Sequence, residues 1–431
     1  MFNRREFLGV TLGAGATMAL TPELLRALQQ QNANLITRVI PSTGEKLPIV
    51  GLGSSASFGQ VARADDVTAL REVLRTMVNA GGMVFDTAPS YGGGASEEVA
   101  GKLAKEIGTT NKMFWATKVN VAPMSGGGTA DPAAARQQLQ ASLQRIGKRP
   151  VDLVQVHNLG DVPTQLGILK EMKQGKQIRY LGVTSTDARQ YEELQKIMRN
   201  EKLDFIGIDY AVDDRDIEQT ILPLAQERGI GVMVYMPFGR RRLWNRIGDR
   251  PLPDWASEVD AKSWAQFMIK YVASHPAVTV VTPATSKPAN MLDNMGAAVG
   301  RLPDEAMRKR MAQFIDALPS AGPQGQQAPQ GPPAQLAPGI ALSTAILDRY
   351  VGEYRSAAGT VVIFRRDGDK LIVKPGNNPE APLLNRSETR FQDPRGPFFD
   401  FQVDAQGKVT GAVLEQQGPQ GTQRVPLERK S

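Results

Sequence analysis

The chain of 431 residues contains no cysteine, so disulfides, thiolate metal sites and thiol nucleophiles are all excluded. Histidine is almost as scarce: only His157 and His275 are present, too few to build a histidine-based metal centre. Aromatic residues make up 6% of the chain and do not interleave with basic ones, as a base-stacking surface would require. Neither sign of charge dominates. Lys and Arg total 51 against 44 Asp and Glu, a net charge of +7, and the densest basic cluster is the short run Arg240-Arg241-Arg242. A nucleic-acid partner is therefore not expected. No apolar run reaches the roughly 20 residues of a stable membrane span. Chemistry is left to Tyr, Lys, carboxylates and an imidazole, on a chain whose 41% hydrophobic content suffices for packed cores.

The N-terminus reads as an address. It opens MFNRREFLGVTLGAGATMAL, and Arg4-Arg5 followed by Glu6-Phe7-Leu8 resembles a twin-arginine export signal. Residues 7–20 are apolar but diluted by Gly9, Gly13 and Gly15, which suits a signal core. Small-x-small cleavage sites occur at Ala14-Gly15-Ala16 and at Thr17-Met18-Ala19. Residues 1–34 are thus expected to direct the folded protein through the twin-arginine machinery to the periplasm. A cofactor bound before export can travel with it.

From residue 35 onward, short apolar runs alternate with stretches of helical period. The strand candidates are 48–53, 83–88, 113–118, 151–157, 180–185, 204–210, 231–236 and 278–283. Helix candidates include 65–80, 96–107, 131–146, 187–200, 213–228 and 258–274, several opening on an Asp or Ser N-cap. Eight strand–helix units predict an α/β fold, a closed (β/α)8 TIM barrel over residues 35–318. Just ahead of the first strand, a hairpin turning at Thr43-Gly44 is expected to plug the barrel floor. The segment 51–56, GLGSSA, matches the start of a dinucleotide fingerprint, but no helix is expected to open directly from it, and it is rejected. Residues 319–340 form a Pro/Gly/Gln-rich linker. Residues 341–431 then read as a small antiparallel all-β domain, with hairpins turning at 366–369 and 404–407 and a further strand at 422–428. It resembles, in loose patterning, the small β-barrel-like domain that trails some penicillin-recognising serine hydrolases.

Four residues fall at or just past three of these strand ends: Asp86, Tyr91, Lys118 and His157. Neighbouring parallel strands would bring them together at the C-terminal mouth of the barrel, where such folds hold their active sites. A free phenol titrates near 10, and a lysine ammonium beside it favours the phenolate. Lys118 is expected to bring Tyr91 toward the working range in this way, with Asp86 orienting Lys118 and His157 aligning a substrate carbonyl.

With these residues in order, the chain resembles the aldo/keto reductases over roughly residues 36–316. The resemblance rests on Phe85-Asp86-Thr87-Ala88-Pro89-Ser90-Tyr91-Gly92, Ala116-Thr117-Lys118, Val156-His157-Asn158, Leu181-Gly182-Val183-Thr184-Ser185, and the segment from Pro283 to Asn294. It implies NADPH-dependent interconversion of a carbonyl and an alcohol, with NADH as the alternative cofactor and a small-molecule carbonyl as substrate. It also implies that Thr184 and Ser185 hold the nicotinamide carboxamide and that Tyr235 stacks on the nicotinamide ring. Lys287 and Arg240 would take the adenosine phosphate, and Asp293 and Asn294 the adenine. Pro237, Phe238, Thr285 and Ser286 complete the cofactor set. The chain departs from the pattern at Gly207, where the family carries a glutamine, and at Asn290, where it carries a basic residue. The long loop 237–255 is a candidate clasp or lid. Phe58, Trp115, Trp244 and Trp255 are candidate walls of a substrate pocket. The competing possibility is a cofactor-sensing or ligand-binding protein on the same barrel with weak or no catalysis.

Overall fold

The computed structural model describes residues 35–318, apart from 56, 65 and 123–127, and residues 340–430, apart from 341, 357–360, 376–379, 394–396, 405, 419 and 420. The segment expected to act as an export signal and nearly all of the expected linker lie outside the described residues.

Alternation along each short strand builds the first unit. After an antiparallel hairpin, β1 (Thr37–Val39) and β2 (Lys46–Pro48), come eight strands: β3 (Leu52–Gly53), β4 (Val84–Asp86), β5 (Phe114–Val119), β6 (Val151–Val156), β7 (Ile178–Ser185), β8 (Phe205–Asp209), β9 (Gly231–Tyr235) and β10 (Val278–Val281). Each pairs in parallel with the next, and bridges from Val50 to Val281 and from Gly53 to Ala284 join the first strand to the last. The sheet is a closed barrel of sequential strands, as the eight apolar runs predict. One set of alternate residues fills its interior: Val84, Phe114, Ala116, Leu153, Tyr180, Phe205, Met233, Tyr235 and Val280. Residues of the other parity, such as Phe85, Trp115, Val154, Leu181 and Val232, pack outward beneath the helices.

The hairpin closes the floor. Ile40 and Leu47 join the interior cluster, Thr43 Oγ1 lies 2.9 Å from the Tyr180 hydroxyl, and that hydroxyl donates to Glu45 at 2.5 Å. In the GLG segment a short helix, Ser57–Val61, does follow within a few residues, contrary to expectation. The glycines nonetheless serve strand pairing. A Cβ on Gly51 would sit 2.7 Å from the Val84 carbonyl oxygen, and one on Gly53 would sit 2.6 Å from that of Thr282.

The C-terminal unit is a nine-stranded antiparallel sheet with the order β14-β13-β12-β11-β19-β18-β17-β16-β15. The expected hairpins are present: β12 (Val361–Asp367) with β13 (Lys370–Pro375), and β17 (Phe398–Val403) with β18 (Val409–Gly418). The strand β19 (Gly421–Arg429) pairs with β18 and with β11 (Gly352–Ser356), and β16 (Arg390–Gln392) pairs with β17. The outermost strands, β14 (Ala381–Pro382) and β15 (Leu384–Asn385), are separated only by Leu383, so the sheet must curl back on itself. The curl encloses an aromatic core in which Tyr350 stacks on Phe401 at 4.4 Å and Phe364 meets Phe401 edge-on at 4.9 Å.

In the barrel's outer layer, helix Ala95–Glu106 crosses helix Pro132–Ile146 at Gly101, where any Cβ would fall on the Arg145 carbonyl oxygen. Gly101→Ala is expected to destabilise the protein by roughly 1–3 kcal/mol through overpacking. Denaturant unfolding of wild type and variant checks this, and an unchanged midpoint would refute the crossing.

Candidate active site

Three successive barrel strands and the loops that leave them carry the site. Asp86 ends β4, Lys118 is next to last in β5, and His157 directly follows β6. Tyr91 stands on the turn after β4, where Gly92, Gly93 and Gly94 all adopt positive φ and swing the chain into helix Ala95–Glu106. By parity Asp86 and Lys118 face the barrel interior.

The four side chains converge. Lys118 Nζ donates to both Asp86 carboxylate oxygens at 2.9 Å and to the Thr87 carbonyl at 2.8 Å. It also lies 5.1 Å from the centroid of the Tyr91 ring. The His157 ring meets the Tyr91 ring at 6.0 Å and 78°. Burial works against the ammonium of Lys118, but the Asp86 carboxylate and then the Tyr91 phenol outweigh it and hold its proton affinity above the ordinary lysine value. Burial, followed by repulsion from Lys118, pushes His157 down to about 3. The imidazole is neutral at any working pH.

Tyr91 corrects an expectation. Burial raises its proton affinity more than Lys118 lowers it, and the carboxylates of Asp86 and Asp209 add to the rise. Burial is the largest cause, and the Lys118 ammonium, itself paired with Asp86 at 2.9 Å, offsets it only in part. Tyr91 is therefore a protonated donor at neutral pH.

Asp209 was not anticipated. It shares the inward parity of Phe205 and Gly207 at the end of β8, the pattern that could have disclosed it. Its Oδ1 is buried without a hydrogen-bond partner among the described residues, and its Oδ2 lies 3.6 Å from the guanidinium of Arg240. Burial, only partly offset by Arg240, lifts it to about 6. Gln155, a polar residue within the apolar run of β6, points inward two positions before His157 and donates to the Tyr235 hydroxyl at 3.0 Å.

Three expected pocket walls are corrected by the parity of the fold. Trp115 lies one residue out of phase with Phe114 and Ala116, so it points outward, fully buried, with its indole N–H on the Thr110 carbonyl. Phe58 packs in that same outer layer, 5.3 Å from Phe85. Trp255 packs on Phe267 and Phe314. Trp244 remains exposed and rests on Phe238 at 5.3 Å.

The expected cofactor residues divide. Thr184 is buried and accepts the Asn158 N–H at 2.9 Å, bracing the loop that carries His157. Ser185, of opposite parity, is tied instead to Gln190 at 2.9 Å, so the two hydroxyls do not act as an adjacent pair. Asp293 accepts from Ser263 at 2.7 Å and Gln266 at 2.8 Å, and Asn294 is buried. Lys287 and Arg240 are exposed cations, Pro237 and Thr285 are buried, and Phe238 and Ser286 are half-buried. Tyr235 is turned into the barrel, with 8% of its surface exposed, and its hydroxyl donates to Asp86 at 3.3 Å. It does not stand as an open stacking platform, because Gly207 leaves it a hollow to fill.

A family model described as the aldo/keto reductase family matches residues 49–313. The chain belongs to the aldo/keto reductase family. Aldo-keto reductase YhdN of Bacillus subtilis (strain 168) is 29% identical over 201 residues, 46% of this chain and 60% of that protein. Aldo-keto reductase str7 of Strobilurus tenacellus is 26% identical over 294 residues, 61% of this chain and 85% of that protein. A crystal structure of an aldo-keto reductase from Klebsiella pneumoniae in complex with NADPH superposes with a TM-score of 0.54 and 23% identity, covering 65% of this chain and 96% of that one. At that identity the likeness is one of fold.

Asp209 supplies a pH test of the mouth of this barrel. A carboxyl whose folded pKa is raised from 3.8 to about 6 makes the folded state bind more protons, so stability falls as pH rises between those values. Asp209→Asn is expected to be more stable than wild type by about 1–3 kcal/mol at pH 8, with the gain gone near pH 4. Thermal unfolding across that range checks it, and an equal gain at both ends would refute it.

Proposed function

We propose that this aldo/keto reductase reduces an aldehyde or ketone to an alcohol with NADPH, with Tyr91 giving the proton to the carbonyl oxygen. The observation that carries the proposal is a protonated Tyr91 seated over the Lys118–Asp86 pair beside a neutral His157. A carbonyl oxygen approaching the mouth would accept a hydrogen bond from the imidazole and the proton from Tyr91. Lys118 would then stabilise the phenolate left behind, and Asp86 would keep the ammonium in place.

The residues present fit NADPH in part. Lys287 and Arg240 are exposed cations suited to a phosphate, and Arg240 is held only loosely by Asp209 at 3.6 Å. Gln155 Oε1 and Asp209 Oδ1 are buried acceptors without a donor among the described residues, which a carboxamide N–H group can supply. When bound, the nicotinamide provides the hydride for the carbonyl carbon. The NADPH complex of the Klebsiella protein supports the same choice, with NADH as the alternative. The twin-arginine motif supports a further proposal: the folded protein is exported to the periplasm with its cofactor already bound.

A ligand-sensing role is the alternative, favoured by the ring of Tyr235 in the hollow beside Gly207 and by the internal ties of Ser185 and Asp293. Turnover decides between them. With a simple aromatic aldehyde, wild type is expected to consume NADPH and Tyr91→Phe to lose roughly 10²–10⁴-fold in kcat, the ordinary worth of a general acid. Nucleotide binding without consumption would support the sensor. Reduction needs a protonated phenol, which exists below the Tyr91 pKa. Because that pKa is raised, the rate is expected to hold through neutral pH and fall only on the alkaline side. His157 near 3 adds no limb between pH 5 and 8. A rate that rises with pH through this range would count against Tyr91 as the acid.

A further inference from the structure

The deepest polar layer of the barrel mouth contains a second phenol. Tyr235 ends β9 with inward parity, and its ring lies across the position where β8 contributes Gly207. A Cβ on Gly207 would come within 2.6 Å of Cε2 and 2.7 Å of Cζ of that ring, and closer still to its hydroxyl. Positive φ is not the reason for this glycine, since Gly207 is absent from the positive-φ positions. Space is the reason: any side chain at 207 would displace Tyr235.

From that seat the Tyr235 hydroxyl donates to Asp86 Oδ1 at 3.3 Å and accepts from Gln155 Nε2 at 3.0 Å. The Lys118 ammonium lies 5.0 Å from the Tyr235 centroid and 5.1 Å from that of Tyr91, so it sits between two phenols. Their situations differ. Tyr235 is nearly buried and bonded on both sides, whereas Tyr91 is half-buried at the mouth. The Tyr91 ring keeps a partly open face at the mouth, and the Tyr235 hydroxyl is engaged by Asp86 and Gln155.

We propose that Tyr235 is a positioning residue of the reductase, holding Asp86, and through it Lys118, in place beneath Tyr91 from a seat that Gly207 opens. This rests on the carbonyl-reductase function proposed above. The groups involved are Asp86 from β4, Lys118 from β5, Gln155 and His157 from β6, Asp209 from β8, and Tyr91. Without the Tyr235 hydroxyl, the Asp86 charge falls more fully on Lys118. The ammonium then stabilises a Tyr91 phenolate less, Tyr91 becomes a weaker acid, and proton transfer slows.

The test separates a hydroxyl from a ring. In the full-length protein, Tyr235→Phe keeps the ring and removes only the donor. The expected result is a fall in kcat of about 3- to 10-fold, the size of up to one unit of proton affinity. The solvent deuterium isotope effect should rise, while the NADPH dissociation constant stays unchanged. Unchanged kcat and isotope effect, or a loss confined to NADPH affinity, would overturn the proposal in favour of a stacking ring. Gly207→Ala tests the seat by unfolding alone. It should lower the thermal midpoint by several degrees in the Tyr235 background and much less in a Tyr235→Ala background. Equal losses in both would overturn the seat. If wild type consumes no NADPH, the reductase function fails and the positioning role falls with it, while the unfolding comparison still reports whether Gly207 seats the ring.

Discussion

Every functional feature of the barrel leans on one buried contact, the 2.9 Å pairing of the Lys118 ammonium with both oxygens of Asp86. Side-chain exposures of 1% and 4% put both charges inside the protein, where each ion loses several kcal/mol of hydration. The surroundings offset that loss with directed partners: Thr87 offers Lys118 a carbonyl, and Tyr235 offers Asp86 a hydroxyl. Strand geometry makes the pairing possible. Asp86 pairs in register with Ala116, two residues before Lys118, so the two side chains rise on the same face of adjacent strands. Few other spacings on β4 and β5 would bring a carboxylate and an ammonium to this depth facing each other.

The same pairing limits what Lys118 can do for Tyr91. An unmatched ammonium about 5 Å from a phenol would favour the phenolate strongly. A matched one does so weakly, and the carboxylate of Asp209 on β8 pushes the other way. The free site therefore holds a proton on Tyr91, the state that the proposed reduction requires. His157, whose ring meets that of Tyr91, stays neutral because burial and then the nearby Lys118 ammonium both disfavour its charged form.

Much of the fold was legible because period-2 strands separated by helical stretches admit few arrangements. The eight apolar runs, the plugging hairpin and both C-terminal hairpins appear where the pattern puts them. The convergence of Asp86, Tyr91, Lys118 and His157 was legible because each member lies at or just past a strand end, where parity and position agree. The errors arose where depth or direction mattered. Trp115 lies one residue from the inward face, and that single step sends its indole to the helix layer. Thr184 and Ser185 look like a pair in sequence, yet adjacent strand residues point apart. Asp293 shows in sequence nothing of the hydrogen bonds that Ser263 and Gln266 give it, because those partners lie about 30 residues away in the chain. The strands β14, β15 and β16 were missed because each has only two or three residues, too few to show a period.

Gly207 shows how such a departure can be read physically. Taken alone, a glycine where relatives of this family carry an amide looks like a lost contact. Beside Tyr235 it becomes half of an exchange: volume removed from β8 is filled from β9 by a ring whose hydroxyl reaches the central carboxylate. Register makes the exchange local, because Asp209 pairs with Tyr235 and Gly207 with Met233, placing the hollow one inward step below the ring's own backbone. The polar function at this level is thus kept within the barrel but directed at Asp86. A nicotinamide entering the mouth would meet the acceptors Gln155 Oε1 and Asp209 Oδ1 in place of that amide. Among the described residues this level of the mouth thus offers unpaired acceptors, a carboxylate and an amide oxygen. A ring with a free N–H group suits such a floor, and a purely accepting ligand does not.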